Sequence, residues 1–206
     1  MIKEKEFVEI DYTGYDQEGN VFDTTRKEDE LNPDPNKNYK PITICLGEGH
    51  ILEGLDKKLI GKEIGKHDIK LKPEEAFGKK DPKNLKLMPM KAFKGQGVQP
   101  YSGLQLTIDN KPGTVRSVSG GRVIMDFNHP LSGQIVEYNV NIKRKVEDKK
   151  EQVQSVLALA GVKYKEVNAE EDKATVKLEQ DIPEQYNKLL AEEVERLTSL
   201  KVVFSK

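Results

Sequence analysis

The sequence is poor in the residue types from which most catalytic centres and metal sites are built. Its 206 residues include one cysteine, three histidines and no tryptophan. Cys45 has no second cysteine for an internal disulfide, and we interpret it as a small buried hydrophobic residue. His50, His67 and His129 lie far apart along the chain, which is a poor spacing for metal ligands. We therefore expect no metal and no cofactor.

Long apolar runs are missing as well. No stretch approaches the roughly 18 to 20 continuous apolar residues that span a bilayer, and no apolar signal-peptide segment follows the charged first residues. Lysine and arginine total 34 and aspartate and glutamate total 35, a net charge of −1, so bulk charge does not favour nucleic acid. We expect a cytoplasmic protein that binds neither a membrane nor a specific nucleic acid.

The first part of the chain has the pattern of a sheet with one helix. Residues 7–13 and 21–25 alternate apolar and polar side chains and predict a hairpin, and a further strand follows at 41–46. Residues 51–60 are apolar at helical spacing and end at Gly61. Strands at 66–72 and 135–142 complete an α+β unit, which the stretch between them interrupts.

That interrupting stretch has a composition of its own. Between residues 85 and 128, two acids, Asp109 and Asp126, face six lysines and arginines. Alternating runs at 104–108 and 122–127 lie around glycines at 113, 120 and 121. We predict a small β-rich domain at 85–129, inserted into a first domain made of residues 1–84 and 130–146.

The remaining residues, 147–206, predict a third domain of α/β type. A helix at 148–160, strands at 162–167 and 173–178, a long amphipathic helix at 183–200 and a strand at 201–204 follow in order. Roughly 60 residues is near the lower limit for an independent core, and the last strand is apolar on consecutive positions. Our hypothesis is a homodimer formed through this domain. The alternative is that both faces of the strand are buried within one subunit.

Five sequence blocks occur in a specific order: VEIDYTG, VFDTT, PITICLGEGHILEGLD, AFG and NHPLSGQIVEYNVNI. Together they resemble the FKBP-type peptidyl-prolyl cis/trans isomerases over residues 3–145. The stretch from LMPMKAF to GRVIMDFNHPLSG resembles the insert-in-flap domain of the SlyD branch, and the chain is most similar to the long archaeal members with a C-terminal domain. The resemblance implies an antiparallel curved sheet wrapped on a short helix, with the insert in the flap over the active site.

The resemblance also implies a hydrophobic cleft between this sheet and its helix. Ile51 is expected at the start of the helix and Leu55 on the cleft floor. The small single-domain members have an aromatic residue at the position of Ile42 and a tryptophan at that of Leu55, so this cleft is expected to be shallower and more aliphatic. A leucine at the cleft floor resembles the SlyD branch. The residues expected to line it are Tyr12, Phe22, Asp23, Ile42, Ile51, Leu52, Leu55, Phe77 and Tyr138.

Each of these side chains has a structural interpretation too. Taken singly, residues in such patterns are more often plain core, and only the joint order of the blocks favours a site. This applies to Phe22, Ile44, Leu52 and Tyr138. His129, where the insert rejoins the first domain, fits a hinge hydrogen bond or a cleft wall.

In the family, the insert binds polypeptides. Flexible methionine side chains can repack against many partners, although such residues can also fill the insert's own core. The residues expected to bind unfolded clients are Met88, Met90, Phe93, Tyr101, His129 and Leu131.

Our leading hypothesis is a folding catalyst that holds unfolded polypeptides and isomerises their Xaa-Pro bonds. Such a reaction breaks no covalent bond, so it needs no nucleophile or general base. One alternative is a chaperone that binds prolyl segments with little turnover. A third is a metallochaperone, which is disfavoured because the chain ends in VVFSK without a tail rich in histidine or cysteine.

Overall fold

The computed structural model describes residues 1–95 and 97–205. They form two compact units, one of residues 1–71 with 136–206 and one of residues 72–135. The predicted α+β class is confirmed, because antiparallel sheets predominate and the helices are few. In chain order the strands and helices are β1 (Phe7–Tyr15), β2 (Val21–Thr24), β3 (Ile42–Cys45), α1 (Glu53–Leu59), β4 (Gly65–Leu71), β5 (Leu85–Pro89), α2 (Met90–Lys94), β6 (Gln105–Ile108), β7 (Lys111–Ser119), β8 (Arg122–Asp126), β9 (Val136–Lys145), α3 (Lys149–Leu159), β10 (Tyr164–Ala169), β11 (Lys173–Leu178), α4 (Glu184–Thr198) and β12 (Lys201–Ser205).

The first unit contains a five-stranded antiparallel sheet. Its strand order is β2-β1-β9-β4, and β3 pairs with β1 beside β2. On β9, alternate residues from Val136 to Ile142 are buried and those between them are half-buried, as the strict alternation of the sequence predicted. Helix α1 packs against β4 and is buried at Leu55 and Leu59.

Residues 147–205 build a second sheet within this first unit. Strand β11 pairs antiparallel with β10 and parallel with β12, and α3 and α4 pack with this sheet around one core. The same core contains Phe7 of β1, Cys45 of β3 and Val146. The C-terminal segment therefore completes a hydrophobic core that begins in the first sheet. Within β12, Val202 and Phe204 are half-buried against this core while Val203 is 47% exposed.

The second unit is a four-stranded antiparallel sheet of order β5-β8-β7-β6. Its small core consists of Phe93 from α2 with Val115, Val123 and Met125 from the sheet. We predicted two strands for this stretch, whereas the structure has four. Strand β7 begins with the sequence KPG, which is typical of a turn. Its Pro112 pairs with Thr107 near the start of the strand, a position where proline is tolerated in a sheet.

Candidate active site

Three aromatic rings meet on one face of the first sheet. The ring centroid of Tyr138 on β9 lies 6.0 Å from that of Tyr12 on β1 and 5.6 Å from that of Phe22 on β2, edge-on at 88°. These separations are favourable for aromatic pairs. Tyr138 is 4% exposed, whereas Tyr12 and Phe22 are half-buried. The cluster therefore has a buried base and a solvent-facing side.

A β-bulge directs Phe22 toward this cluster. Gly14 pairs with Asp23 and Tyr15 pairs with Val21, so Phe22 is the extra residue of β2. Adjacent residues of a regular strand point to opposite faces of the sheet, but a bulge re-aims a side chain. Phe22 and Asp23 can therefore contribute to the same site although they are neighbours in sequence.

Gly14 provides the space that the rings occupy. A Cβ atom at this position would lie 2.8 Å from Cζ of Phe22 and 2.9 Å from Cε1 of Tyr138, closer than side-chain carbons approach. Gly14 lies within β1, just beyond the strand predicted at 7–13. A single sequence holds no signal that two rings from different strands meet above one glycine.

The Tyr12 hydroxyl group donates a hydrogen bond to Oδ2 of Asp23 at 2.7 Å. Burial, together with the hydrogen bond and the charge of Asp23, raises the pKa of Tyr12 well above its usual value. Burial and the charge of Asp23 also raise the pKa of Tyr138. Both phenol groups therefore stay protonated at neutral and moderately alkaline pH, and they can act as hydrogen-bond donors but not as bases.

A lysine that sequence reasoning missed lies beside this pair. Nζ of Lys37 lies 2.8 Å from Oε1 of Glu30 and 3.9 Å from Oδ1 of Asp23, and it stands 5.0 Å from the ring centroid of Tyr39. Lys37 lies in the connection between β2 and β3. Its local sequence is polar and broken by prolines, and nothing in it indicates that one lysine folds back to a strand 14 residues earlier.

The turn before α1 positions the helical residues predicted for the cleft. The carboxylate of Asp56, a residue only 3% exposed, accepts hydrogen bonds from the backbone N–H groups of Gly47 at 2.9 Å and Gly49 at 3.0 Å. This clamp holds the connection from β3 to α1. Leu55 is 1% exposed, while the side chains of Ile51 and Leu52 are half-buried at the start of the helix. Two half-buried aliphatic residues thus precede the buried Leu55, and the start of α1 presents an aliphatic surface.

Ile42 lies in a different environment from the aromatic cluster. It pairs with Ile10 on β1 and lines a groove of about 360 Å³ together with Leu159 of α3 and Tyr164 of β10. Its predicted role in the cleft stays a prediction.

Phe77 and His129, both in the second unit, stack face to face. Their ring centroids are 4.6 Å apart and the ring planes differ by 1°. The Ser132 hydroxyl group donates to the backbone carbonyl of Phe77 at 2.9 Å, and Nδ1 of His129 accepts from the backbone N–H of Leu131 at 3.2 Å. Leu131 is half-buried and His129 is exposed. These contacts join the chain segments that flank the insert, and both interpretations of His129 stay predictions.

The other residues predicted to bind clients differ in burial. Phe93 is 4% exposed and belongs to the core of the second unit, against which Met88 and Met90 pack half-buried. Tyr101 is 63% exposed, and so is Leu87 of β5, at 59%. Tyr101, Leu87 and the accessible part of Met90 are therefore available to a partner, whereas Phe93 is buried in the core against which Met88 and Met90 pack.

Clusters of metal-ligating side chains and long apolar helices are both absent from residues 1–95 and 97–205. No group of three or more histidine, cysteine, aspartate or glutamate side chains within these ranges could hold a metal ion. None of the helices there is long and apolar enough to cross a bilayer. The cytoplasmic location stays a prediction.

Comparison with known families identifies the family of this chain. A family model described as FKBP-type peptidyl-prolyl cis-trans isomerase matches residues 1–108, and one described as FKBP26, IF domain, matches residues 86–131. The first match covers more than half of the chain. The protein therefore belongs to the FKBP-type peptidyl-prolyl cis-trans isomerase family, and it is an isomerase, as the five sequence blocks predicted.

Individual relatives refine this assignment. A short-type peptidyl-prolyl cis-trans isomerase from Methanocaldococcus jannaschii is 27% identical over 148 residues, which cover 69% of this chain and 93% of the relative. The FKBP-type 16 kDa isomerase of Escherichia coli K12 is 32% identical over 110 residues, 51% of this chain and 74% of the relative. SlyD from Aeromonas hydrophila is 31% identical over 139 residues, 66% of this chain and 60% of the relative. These similarities support the predicted SlyD-like branch.

Proposed function

We propose that the chain isomerises Xaa-Pro bonds at the aromatic cluster of the first sheet, next to the start of α1. The observation that carries this proposal is the meeting of Tyr12, Phe22 and Tyr138 on one sheet face, with the Tyr12 hydroxyl bound to Asp23. Ile51, Leu52 and Leu55 are the aliphatic residues that we assign to the same cleft. Phe77 and Ile42 stay predictions for it.

The chemistry asked of this cleft is the rotation of one amide bond. Partial double-bond character gives that rotation a barrier of roughly 18 to 20 kcal/mol. In the twisted transition state the conjugation is lost and the carbonyl oxygen carries less negative charge. An apolar cleft that excludes water therefore favours the transition state over the planar, more dipolar ground state.

Tyr12 and Asp23 supply orientation in this mechanism. The hydrogen bond from Tyr12 to Asp23 fixes the phenol group in one direction, and its oxygen can still accept a hydrogen bond. A substrate carbonyl can compete with Asp23 for the hydroxyl proton, because the raised pKa of Tyr12 keeps that proton in place. Lys37 and Asp23 together give the rim opposite charges that can align the peptide groups of a substrate.

Exchange NMR on a short prolyl peptide tests this assignment. We expect Tyr12→Phe to lower kcat/KM by about three- to tenfold, since a hydrogen bond of this kind contributes about 0.5–1.5 kcal/mol, and Phe22→Ala to lower it further. Tyr15→Phe is the matched control, because it removes a hydroxyl group from the same strand outside the cluster. Equal kcat/KM values for Tyr12→Phe, Phe22→Ala and Tyr15→Phe would show that the reaction occurs elsewhere.

We further propose that residues 85–129 form a chaperone domain inserted into the isomerase domain, and that this insert binds unfolded polypeptides. The basic composition of the stretch, its methionines and the exposed side chains of Leu87 and Tyr101 support this role. Because the insert and the isomerase site belong to one chain, a client held on the insert is presented to the site at a raised effective concentration.

Deletion of residues 87–128, with a short linker in their place, separates the two activities. Isomerisation of a short peptide should persist, whereas the proline-limited refolding of a protein substrate should slow markedly. A point variant, Tyr101→Ser, tests the same idea without removing the sheet. If the deletion slowed both reactions to the same extent, the insert would have no separate role in binding clients.

We also propose that residues 147–206 mediate a homodimer. Strand β12 is an edge of its sheet, and exposed apolar side chains occur nearby in the segment: Val203 at 47%, Leu189 at 63% and Tyr186 at 40%. Edge strands and exposed apolar side chains favour association. Two isomerase sites and two inserts on one particle would bind an extended client with greater avidity.

Light scattering measures this association directly. At tens of micromolar, an ordinary assay range of concentrations, we expect a dimeric mass that Leu189→Lys or Val203→Lys converts to a monomer. Leu31→Lys is the control, because Leu31 is 99% exposed and lies outside the segment. A monomeric mass for the unmodified chain at these concentrations would exclude a stable dimer.

A further inference from the structure

A groove in the second unit combines an apolar wall with a basic rim. It has a volume of about 630 Å³, and Met90, Val98 and Val118 contribute apolar side chains to its lining. Pro100 also lines it, and Lys94 lies at its margin. Ligand pockets generally fall between about 300 and 1,000 Å³, so this groove can accept several side chains of a peptide.

Three of the six cations of the insert lie at the groove end of its sheet. Lys91 and Lys94 belong to α2, which begins at the groove residue Met90. Arg122 pairs with Pro89, the residue just before Met90, and with Ser119, the residue just after Val118. All three cationic side chains are exposed, and in the described part of the chain none of them has an acidic partner.

The acids of the second unit lie at the opposite end. Asp126 follows Arg122 by four residues on β8, a distance of about 13 Å at about 3.3 Å per residue. Asp109 lies in the turn before β7, at the far end of that strand from Val118, which corresponds to roughly 25 Å or more. The remaining acids, Glu74, Glu75 and Asp81, precede Leu85, and Leu85 pairs with Asp126 at this same far end.

Screening by salt weakens the attraction between the cations at the groove and the carboxylates at the opposite end of the sheet. At physiological ionic strength the Debye length is about 8 Å, so the distant carboxylates do little to neutralise Lys91 and Lys94 at the groove. A ligand in the groove therefore meets an apolar wall and a net positive rim.

We propose that this groove selects segments of unfolded polypeptide in which apolar residues are flanked by aspartate or glutamate. This inference rests on the proposed client-binding function of the insert and specifies which clients it prefers. Apolar side chains of the client would contact Met90, Val98 and Val118, and its carboxylates would face Lys91 and Lys94. The apolar lining favours such a segment over a nucleic acid, whose phosphates would leave the wall unfilled.

Three peptides that share one apolar segment and differ only in their flanks test the proposal. The flanks are glutamate, glutamine or lysine, and binding to the full chain is measured by fluorescence anisotropy. We expect the glutamate peptide to bind about five- to tenfold more tightly than the glutamine peptide, because a few exposed ion pairs are worth this much, and the lysine peptide to bind most weakly. Raising the salt to about 0.5 M should remove most of the difference.

Paired variants locate the selectivity. Lys91→Gln with Lys94→Gln should make the glutamate and glutamine peptides bind equally, while leaving short-peptide isomerisation unchanged. Lys173→Gln with Lys177→Gln on β11 changes the net charge identically and should keep the preference.

Equal binding of the three peptides to the unmodified chain would overturn the selectivity and leave client binding intact. Absence of binding by all three would instead contradict the client-binding function itself. A preference that survives the change of Lys91 and Lys94 would overturn their role.

Discussion

At the residue scale, the proposed site depends on a glycine and on neutral phenol groups as much as on the packing of its aromatic rings. Gly14 lies beneath Phe22 and Tyr138 and admits both rings. The neutral phenol groups of Tyr12 and Tyr138 suit a reaction that needs a dry, apolar surface. Lys37 and Asp23 place opposite charges at the margin. Small changes at any of these positions should therefore alter the packing or polarity of the site without altering the fold.

We expect Gly14→Ala to lower both the free energy of unfolding and kcat/KM. The added Cβ would approach Cζ of Phe22 to 2.8 Å, and overpacking of this kind costs about 1–3 kcal/mol. Urea denaturation and the prolyl exchange assay measure the two effects. Adding Phe22→Leu removes the clashing ring atom and should restore part of the stability but not the activity. Unchanged stability and ring chemical shifts in Gly14→Ala would contradict the predicted crowding.

The half-buried His50 makes the free energy of unfolding depend on pH in the mildly acidic range. Its Nδ1 accepts a hydrogen bond from the backbone N–H of Cys45 at 3.1 Å, and burial lowers the pKa of the imidazole below its usual 6.5. An unfolded chain protonates at its ordinary pKa, so the stabilisation is present above that pH and is lost as the pH falls below it.

Urea denaturation between pH 7.5 and 5, a range that brackets the ordinary histidine pKa of about 6.5, measures this effect. We expect His50→Asn to have a weaker dependence of unfolding free energy on pH than the unmodified chain, with His67→Asn as the control that keeps the dependence. Identical slopes for the unmodified chain and His50→Asn would show that other groups account for the acid sensitivity.

At the scale of single elements, local irregularities place the side chains. The bulge in β2 brings Phe22 onto the face of Asp23, and the turn from β3 to α1 is tied to the helix by Asp56. Gly47 and Gly49 both have positive φ values, 86° and 69°, which glycine adopts readily. The first turn of α1, with Ile51 and Leu52 just before it, therefore has one position relative to β3.

Asp56→Asn should lower the unfolding free energy by about 1–3 kcal/mol, the cost of leaving a buried hydrogen-bonding group without its partner. The amide nitrogen of asparagine would face a backbone N–H that the carboxylate now accepts. Glu53→Gln is the control on the same helix, since the side chain of Glu53 is 79% exposed and its pair with Lys57 is worth little. Urea midpoints that coincide for these two variants would refute the clamp.

At the scale of the whole molecule, the C-terminal segment is part of the first unit's core. Leu157 of α3 is fully buried in the cluster that includes Phe7 and Cys45. Truncation of the chain after residue 145 would expose Phe7 and Cys45 to solvent. It would therefore lower the stability of the first sheet as well as remove the proposed dimer contact. Point variants on the exposed face are for this reason the better test of dimer formation.

We expect Leu157→Ala to destabilise the first sheet together with the C-terminal segment, by about 2–5 kcal/mol. Hydrogen exchange should show loss of protection in β1 around Phe7 and Val8 as well as in α3. Leu159→Ala is the matched control from the same helix, because Leu159 is 39% exposed and should cost far less. Loss of protection confined to residues 147–206 would mean that the segment unfolds independently of the first sheet.

The linear sequence determined the elements and the family of this protein. Alternation along β1 and β9, helical spacing from Ile51 to Ile60 and the glycine after α3 are local signals, because each depends on side chains a few residues apart. The order of the five blocks was enough to predict an FKBP-type isomerase.

Only the tertiary structure decided how distant residues meet. Tyr12 and Tyr138 are 126 positions apart, and their contact depends on the register of β1 with β9. The approach of Lys37 to Asp23, the bulge at Phe22 and the core shared by Phe7 and Leu157 likewise follow from strand pairing and close packing, which no local pattern encodes.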